Sequence, residues 1–121
     1  MINILLDMEE KNKMDQKVDY VSVFKALADE TRLKIIEMLS CGEMCACDIL
    51  ESFEITQPTL SYHMKILTDS GIVVSRKDGS WVRYQLNEKV VQTITDYWSQ
   101  ITTPQDNCIC KINRKENKCD L

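Results

Sequence analysis

From Asp15 onward, apolar residues recur at Val18, Val21, Phe24, Leu27 and Ala28, the spacing of one helix face, and predict a first helix ending near Ala28-Asp29. Thr31 is placed to cap a second helix, with Leu33, Ile36 and Leu39 as its buried stripe and Arg32, Lys34 and Glu37 on its wet side. Cys41-Gly42 stops it, the glycine serving as a left-handed terminator. A short third helix is expected from about Cys47 to Phe53, turning Ile49, Leu50 and Phe53 inward. After the turn Glu54-Ile55-Thr56, Thr56 or Gln57 caps a fourth helix with Pro58 in its first turn, where a missing N–H costs little. That helix runs to about Ser70 and ends at Gly71; Leu60, Met64 and Leu67 form its apolar stripe, leaving Gln57, Ser61, Tyr62 and Lys65 on other faces.

Two short helices joined by a tight turn, the second polar on its outer face, form a helix-turn-helix pattern. Next, Ile72–Arg76 and Trp81–Leu86 are β-prone runs around Lys77-Asp78-Gly79-Ser80, and Asp-Gly signals a hairpin. Val82, Tyr84 and Leu86 should pack inward, with Trp81, Arg83 and Gln85 outward. A basic hairpin after a recognition helix reads as a wing. Asn87 can cap a fifth helix whose Val90, Val91, Ile94, Tyr97, Trp98 and Ile101 make an apolar face broader than one small domain covers, which points to a dimer interface shared with the first helix. The expected fold is therefore mainly α with a small β-hairpin, a dimeric winged helix-turn-helix. Residues 1–14 are set apart as an N-terminal arm, residues 15–103 as the DNA-binding and dimerisation domain, and residues 104–121 as a polar, cysteine-bearing tail.

Composition changes this picture in two places. The net charge of −4 is at odds with a nucleic-acid binder until it is divided along the chain: residues 57–86 carry 4 Lys/Arg against 2 Asp/Glu, whereas residues 1–56 carry 6 against 12. The net-positive segment is the one the pattern sets against DNA, so overall acidity does not exclude phosphate contact. The apolar opening Met1–Met8 lacks the flank, length and cleavage site of a signal peptide, and no run approaches a membrane span, so the expectation is a soluble cytoplasmic protein without membrane partners. In that compartment Cys41, Cys45, Cys47, Cys108, Cys110 and Cys119 should be reduced, favouring metal or redox chemistry over a disulfide framework.

Cys45 and Cys47 stand at the root of the helix that positions the recognition helix. Thiolates are ligands for soft ions, and such a pair suggests a switch. If both lay in a regular helix they would diverge by roughly 200°, so binding of one ion is expected to unwind the helix's first turn. On the DNA side, Gln57, Thr59, Ser61, Tyr62, His63 and Lys65 are candidates for base or phosphate contacts, and Arg76, Lys77 and Arg83 for the wing's backbone or minor-groove contacts. His63 is expected to face DNA or solvent, and Tyr97 and Trp98 to serve core or interface. No CxxC, phosphate loop or nucleophile–base pair suggests an enzyme.

The run Ala26–Ile36, the segment Glu43-Met-Cys-Ala-Cys-Asp-Ile-Leu50, the segment Thr56-Gln-Pro-Thr-Leu-Ser-Tyr-His-Met-Lys-Ile-Leu67 and Gly71 through the wing together resemble the ArsR family of metalloregulatory winged-helix repressors, and within it the arsenite and antimonite sensors. The resemblance covers about residues 15–101. It implies a homodimer that binds an inverted-repeat operator and leaves it when As(III) or Sb(III), the inducer, binds cysteine thiolates, with no organic cofactor. Cys45 and Cys47 match the sensor pair, and the tail's Cys108 and Cys110 resemble those of arsenic-operon repressors. Many such sensors carry a third cysteine where this chain has Leu50, which leaves the third ligand open among Cys108, Cys110, Cys119 and Cys41. The rival readings are a cadmium, lead or zinc sensor of the same family, disfavoured by the lack of histidine in residues 88–101 and of cysteine in residues 1–40, and a thiol-redox regulator.

Overall fold

The computed structural model describes residues 17–104. In chain order these form α1 (Tyr20–Leu27), α2 (Glu30–Leu39), β1 (Met44–Cys45), α3 (Ala46–Glu51), α4 (Gln57–Ser70), β2 (Val73–Asp78), β3 (Trp81–Leu86) and α5 (Glu88–Thr102). Residues 1–16 and 105–121, which include the expected arm and the tail's Cys108, Cys110 and Cys119, lie outside the described residues.

Helix starts follow short polar side chains. Asp19 caps α1 by accepting from Ser22 N–H at 3.2 Å, and Asp29 caps α2 by accepting from Arg32 N–H at 3.1 Å. The second of these corrects the expected cap at Thr31: the aspartate two residues earlier has the extended backbone that a cap requires. Thr56 caps α4, its Oγ1 accepting from Thr59 N–H at 3.3 Å, with Pro58 in the first turn. Asn87 caps α5. Gly71 ends α4 at φ 93°, a left-handed geometry that glycine adopts without steric penalty.

The core comprises Val23, Ala26, Ile35, Leu39, Ile49, Leu60, Met64, Leu67, Ile72, Val73 and Ile94. It corrects two helix faces. In α1 the fully buried residue is Val23, while Val21 is 62% exposed; in α2 Ile35 is fully buried and Leu33 is 52% exposed. Both helices are apolar on more than one side, and periodicity alone does not say which side meets α4.

The sheet has three antiparallel strands in the order β1-β3-β2. The hairpin β2-β3 turns at Asp78-Gly79-Ser80-Trp81, with Gly79 at φ 70°. β1 adds a short third strand beyond the two expected, aligning Met44 with Tyr84 and Cys45 with Arg83. α1 meets α5 through aromatic rings: Tyr20 stacks on Tyr97 with centroids 3.8 Å apart, and Phe24 meets Trp98 edge-on at 6.2 Å.

Candidate thiol centre and nucleic-acid interface

β1 decides the geometry of the thiol pair. Pairing with β3 holds Cys45 extended, at φ −87° and ψ 159°, so it is the N-cap of α3 and not a helical residue. Cys47 lies in the first turn of the helix, with its Cα 5.4 Å from that of Cys45, and the two sulfurs meet as a disulfide. The expected unwinding is thereby corrected: with Cys45 outside the helix, the side chains converge while the first turn stays intact. Cys45 is buried, Cys47 exposed, and a carboxylate oxygen of Asp48 joins the sulfurs in a group whose ligand atoms all lie within 4.8 Å of one another. Once reduced, the pair can offer two soft thiolates to a thiophilic ion, with a hard carboxylate beside them. Cys41 is exposed and lies outside this group.

Next to the pair, Glu43 accepts two hydrogen bonds from Arg76 on β2, from Nε at 2.8 Å and from Nη2 at 2.9 Å. These hold the Glu43 carboxyl below its ordinary range. Arg76 and Arg83 face each other across the hairpin, and the like charges are tolerated because each has its own carboxylate: Arg83 donates from Nε to Asp78 at 3.0 Å.

Of the recognition-helix candidates, Gln57, Thr59, Ser61, Tyr62 and Lys65 are exposed. Thr59 Oγ1 accepts from Thr56 Oγ1 at 3.0 Å, and Lys65 pairs with Asp69 one turn on at 3.0 Å. On the wing Arg76 and Lys77 are exposed and Arg83 is half-buried. His63 is placed differently from the expectation: it is 9% exposed and faces α2 instead of the surface. Arg32 Nη1 lies 3.0 Å from His63 Nδ1, and Arg32 Nε donates to Ala26 carbonyl oxygen at 2.6 Å. A guanidinium only donates, so Nδ1 is the acceptor and the ring proton sits on Nε2. Asp29 stands 3.9 Å from the same nitrogen, and the Arg32 backbone N–H is the main influence holding its carboxyl low. Arg32, expected from sequence on the wet side, thus ties α1, α2 and α4 together. The proximity of Asp29 and Arg32 is legible in the sequence; the pairing with a histidine 31 residues away is not.

The family model described as "Bacterial regulatory protein, arsR family" matches residues 29–75. An arsenical resistance operon repressor of Staphylococcus aureus is 47% identical over 98 residues, covering 81% of this chain and 93% of the relative. Among solved structures, an ArsR-like transcriptional regulator from Rhodococcus sp. RHA1 superposes with a TM-score of 0.67 at 24% identity, covering 82% of this chain and 93% of its own. A homodimeric winged helix-turn-helix DNA-binding domain from Mycobacterium bovis superposes with a TM-score of 0.57 at 28% identity, covering 69% of this chain and 80% of its own. No helix among the described residues is long and apolar enough to cross a membrane. With the recognition helix, the wing and the relatives in agreement, the chain belongs to the ArsR family and is a winged helix-turn-helix transcriptional repressor, not an enzyme.

Proposed function

We propose that this repressor binds an inverted-repeat operator as a homodimer and releases it when As(III) or Sb(III) binds the reduced thiolates of Cys45 and Cys47. The observation that carries this reading is the convergence of those thiols at the start of α3, immediately before the recognition helix. Pyramidal arsenite and antimonite suit three soft donors, and Cys108 or Cys110 in the tail is the proposed source of the third. The name of the 47% identical relative favours the arsenical reading over a divalent-cation sensor.

Gln57, Thr59, Ser61, Tyr62 and Lys65 would approach the major groove or its phosphates, and Arg76, Lys77 and Arg83 the flanking backbone. His63 would act from behind, by bracing α4 against α2. The dimer reading is supported by apolar surface left on the paired terminal helices: Val21 is 62%, Trp98 57% and Ile101 53% exposed. A second reading, thiol-redox control, is favoured by the Cys45–Cys47 disulfide.

The test is a fluorescence-anisotropy titration of reduced protein on operator from its own promoter, with arsenite, antimonite, cadmium and zinc added separately. Release by arsenite and antimonite should vanish in Cys45→Ser and weaken when the chain is cut at Pro104. Release by cadmium or zinc alone would sink the arsenical reading. Release by peroxide, with none by any of the four ions, would favour the redox reading.

A further inference from the structure

Residues 57–86, which carry the recognition helix and the wing, hold 4 Lys/Arg. Three of these already have a carboxylate partner in the free protein: Lys65 with Asp69, Arg76 with Glu43 and Arg83 with Asp78. Among the described residues Lys77 has no ion pair. Asp69 and Asp78 belong to the same segment as the cations they meet, whereas Glu43 stands 33 residues before Arg76. It immediately precedes β1 on one edge of the sheet, and Arg76 lies in β2 on the other, so their pair reaches across β3. Only the fold brings this acid to the wing.

The pair is two-pronged, with Arg76 Nε and Nη2 donating to the two oxygens of one carboxylate at 2.8 and 2.9 Å. A guanidinium meets a phosphate through the same arrangement. Glu43 is the more sheltered partner, its side chain 26% exposed against 56% for Arg76. The guanidinium is therefore outermost, where a DNA backbone would meet it, while two of its donors are taken by the carboxylate behind it. We propose that Glu43 is a positioning residue for operator binding: its carboxylate holds Arg76 in the free protein as a stand-in for a DNA phosphate, and is exchanged for a phosphate when the wing closes on the operator.

This rests on the reading of the wing as the element that meets the operator backbone, and adds what that contact displaces. The exchange conserves the two hydrogen bonds of the guanidinium, so Arg76 is aimed in advance and a phosphate gains it only by giving up the internal pair. The released carboxylate then stands close to the phosphate that replaced it, and the like charges repel. Both effects make Glu43 a brake on affinity that acts through Arg76.

The test uses full-length, reduced protein without inducer, titrated by anisotropy on labelled operator from its own promoter over a series of salt concentrations. Glu43→Gln keeps the shape and an acceptor oxygen but not the charge. It should tighten binding by roughly 1.5- to 5-fold for each wing engaged, the range an exposed ion pair spans, and leave the slope of log affinity against log salt in place. Arg76→Ala should lower that slope by about 0.9 for each phosphate given up. The gain from Glu43→Gln should shrink when Arg76→Ala is already present, because the carboxylate then has no guanidinium to withhold. Weaker binding in Glu43→Gln overturns the inference and makes the pair a brace for the wing. A steeper slope in that variant overturns it too, as the mark of a pair that stays closed on wild-type DNA complexes, and so does an equal gain with and without Arg76. If Glu43→Gln fails to fold by circular dichroism, an unchanged slope in Arg76→Ala is sufficient to overturn it. An unchanged slope in Arg76→Ala beside a lowered one in Lys77→Ala removes this inference alone, whereas unchanged slopes in both remove the reading of the wing as well.

Discussion

Replacing Cys45 by serine or by alanine separates its place in the fold from its proposed place in sensing. Both substitutions remove the sulfur, its burial and the disulfide, so their difference isolates what a hydroxyl adds at that position. Cys45 is the N-cap of α3, with extended backbone and no side-chain capping hydrogen bond. A serine there can accept from the N–H of Cys47 or Asp48, whereas alanine leaves both without a capping partner. Serine and alanine at an N-cap typically differ by about 1 kcal/mol, within a range of roughly 0.5–2. A helix of six residues has little propagation energy of its own with which to absorb a frayed first turn. For a domain of this size 1 kcal/mol corresponds to roughly 4–8 °C in melting temperature. Cys45→Ser should therefore melt above Cys45→Ala in circular-dichroism scans run with reductant and at one protein concentration, since assembly shifts apparent stability by mass action. An alanine variant equal to or more stable than the serine variant would refute the placement of Cys45 outside the helix, and with it the account of how the thiols converge.

Residues outside the thiol pair give three further expected outcomes. His63→Leu removes the acceptor 3.0 Å from Arg32 Nη1 and should cost about 1.5–3 kcal/mol in urea denaturation, the scale of a hydrogen bond to a charged group, with part recovered when Arg32→Met is added. The Asp29 carboxyl is held low first by the Arg32 N–H, so the unfolded chain binds its proton more readily. Its stabilising share is complete above the ordinary carboxylate range and lost as pH falls through the lower folded value; Asp29→Asn, still a good cap, should flatten the drop in melting temperature below about pH 4. Lys77→Ala should leave thermal stability unchanged while lowering the slope of log affinity against log salt by about 0.9 for each phosphate that Lys77 neutralises, measured by anisotropy on operator.

Sequence pattern reaches furthest where the determinants are local. The start of α4 at Thr56 and Pro58, its end at Gly71 and the hairpin turn at Asp78-Gly79 each depend on residues within one turn of one another, and each stands where expected. Three features depend on partners far along the chain. β1 is two residues long and has no periodicity to detect; it exists because β3, almost forty residues later, offers an edge. Periodicity selects Val21 and Leu33 for the interior of α1 and α2, and both are exposed, because each helix has two apolar faces, one for the core and one uncovered in the single chain. Polarity suggests a surface position for His63, whereas a buried imidazole is tolerated when a guanidinium supplies its hydrogen bond. At the site, the spacing of Cys45 and Cys47 is plain in sequence, but their convergence is not, since it follows from a strand that only the fold reveals.

That strand bears on how two ligands can oppose each other on one small chain. Cys45 aligns with Arg83 in the ladder that forms the wing, so the proposed point of attachment of the inducer and a proposed DNA-contacting residue are neighbours across a single strand pair. No long relay of packed side chains is needed between them; a shift of the β1 backbone is already a shift at the wing's edge. Coupling between two binding equilibria is reciprocal. Whatever factor an inducer removes from operator affinity, bound operator must remove from inducer affinity, and substitutions in β3 that alter the wing's grip on DNA should retune the concentration at which the thiols respond.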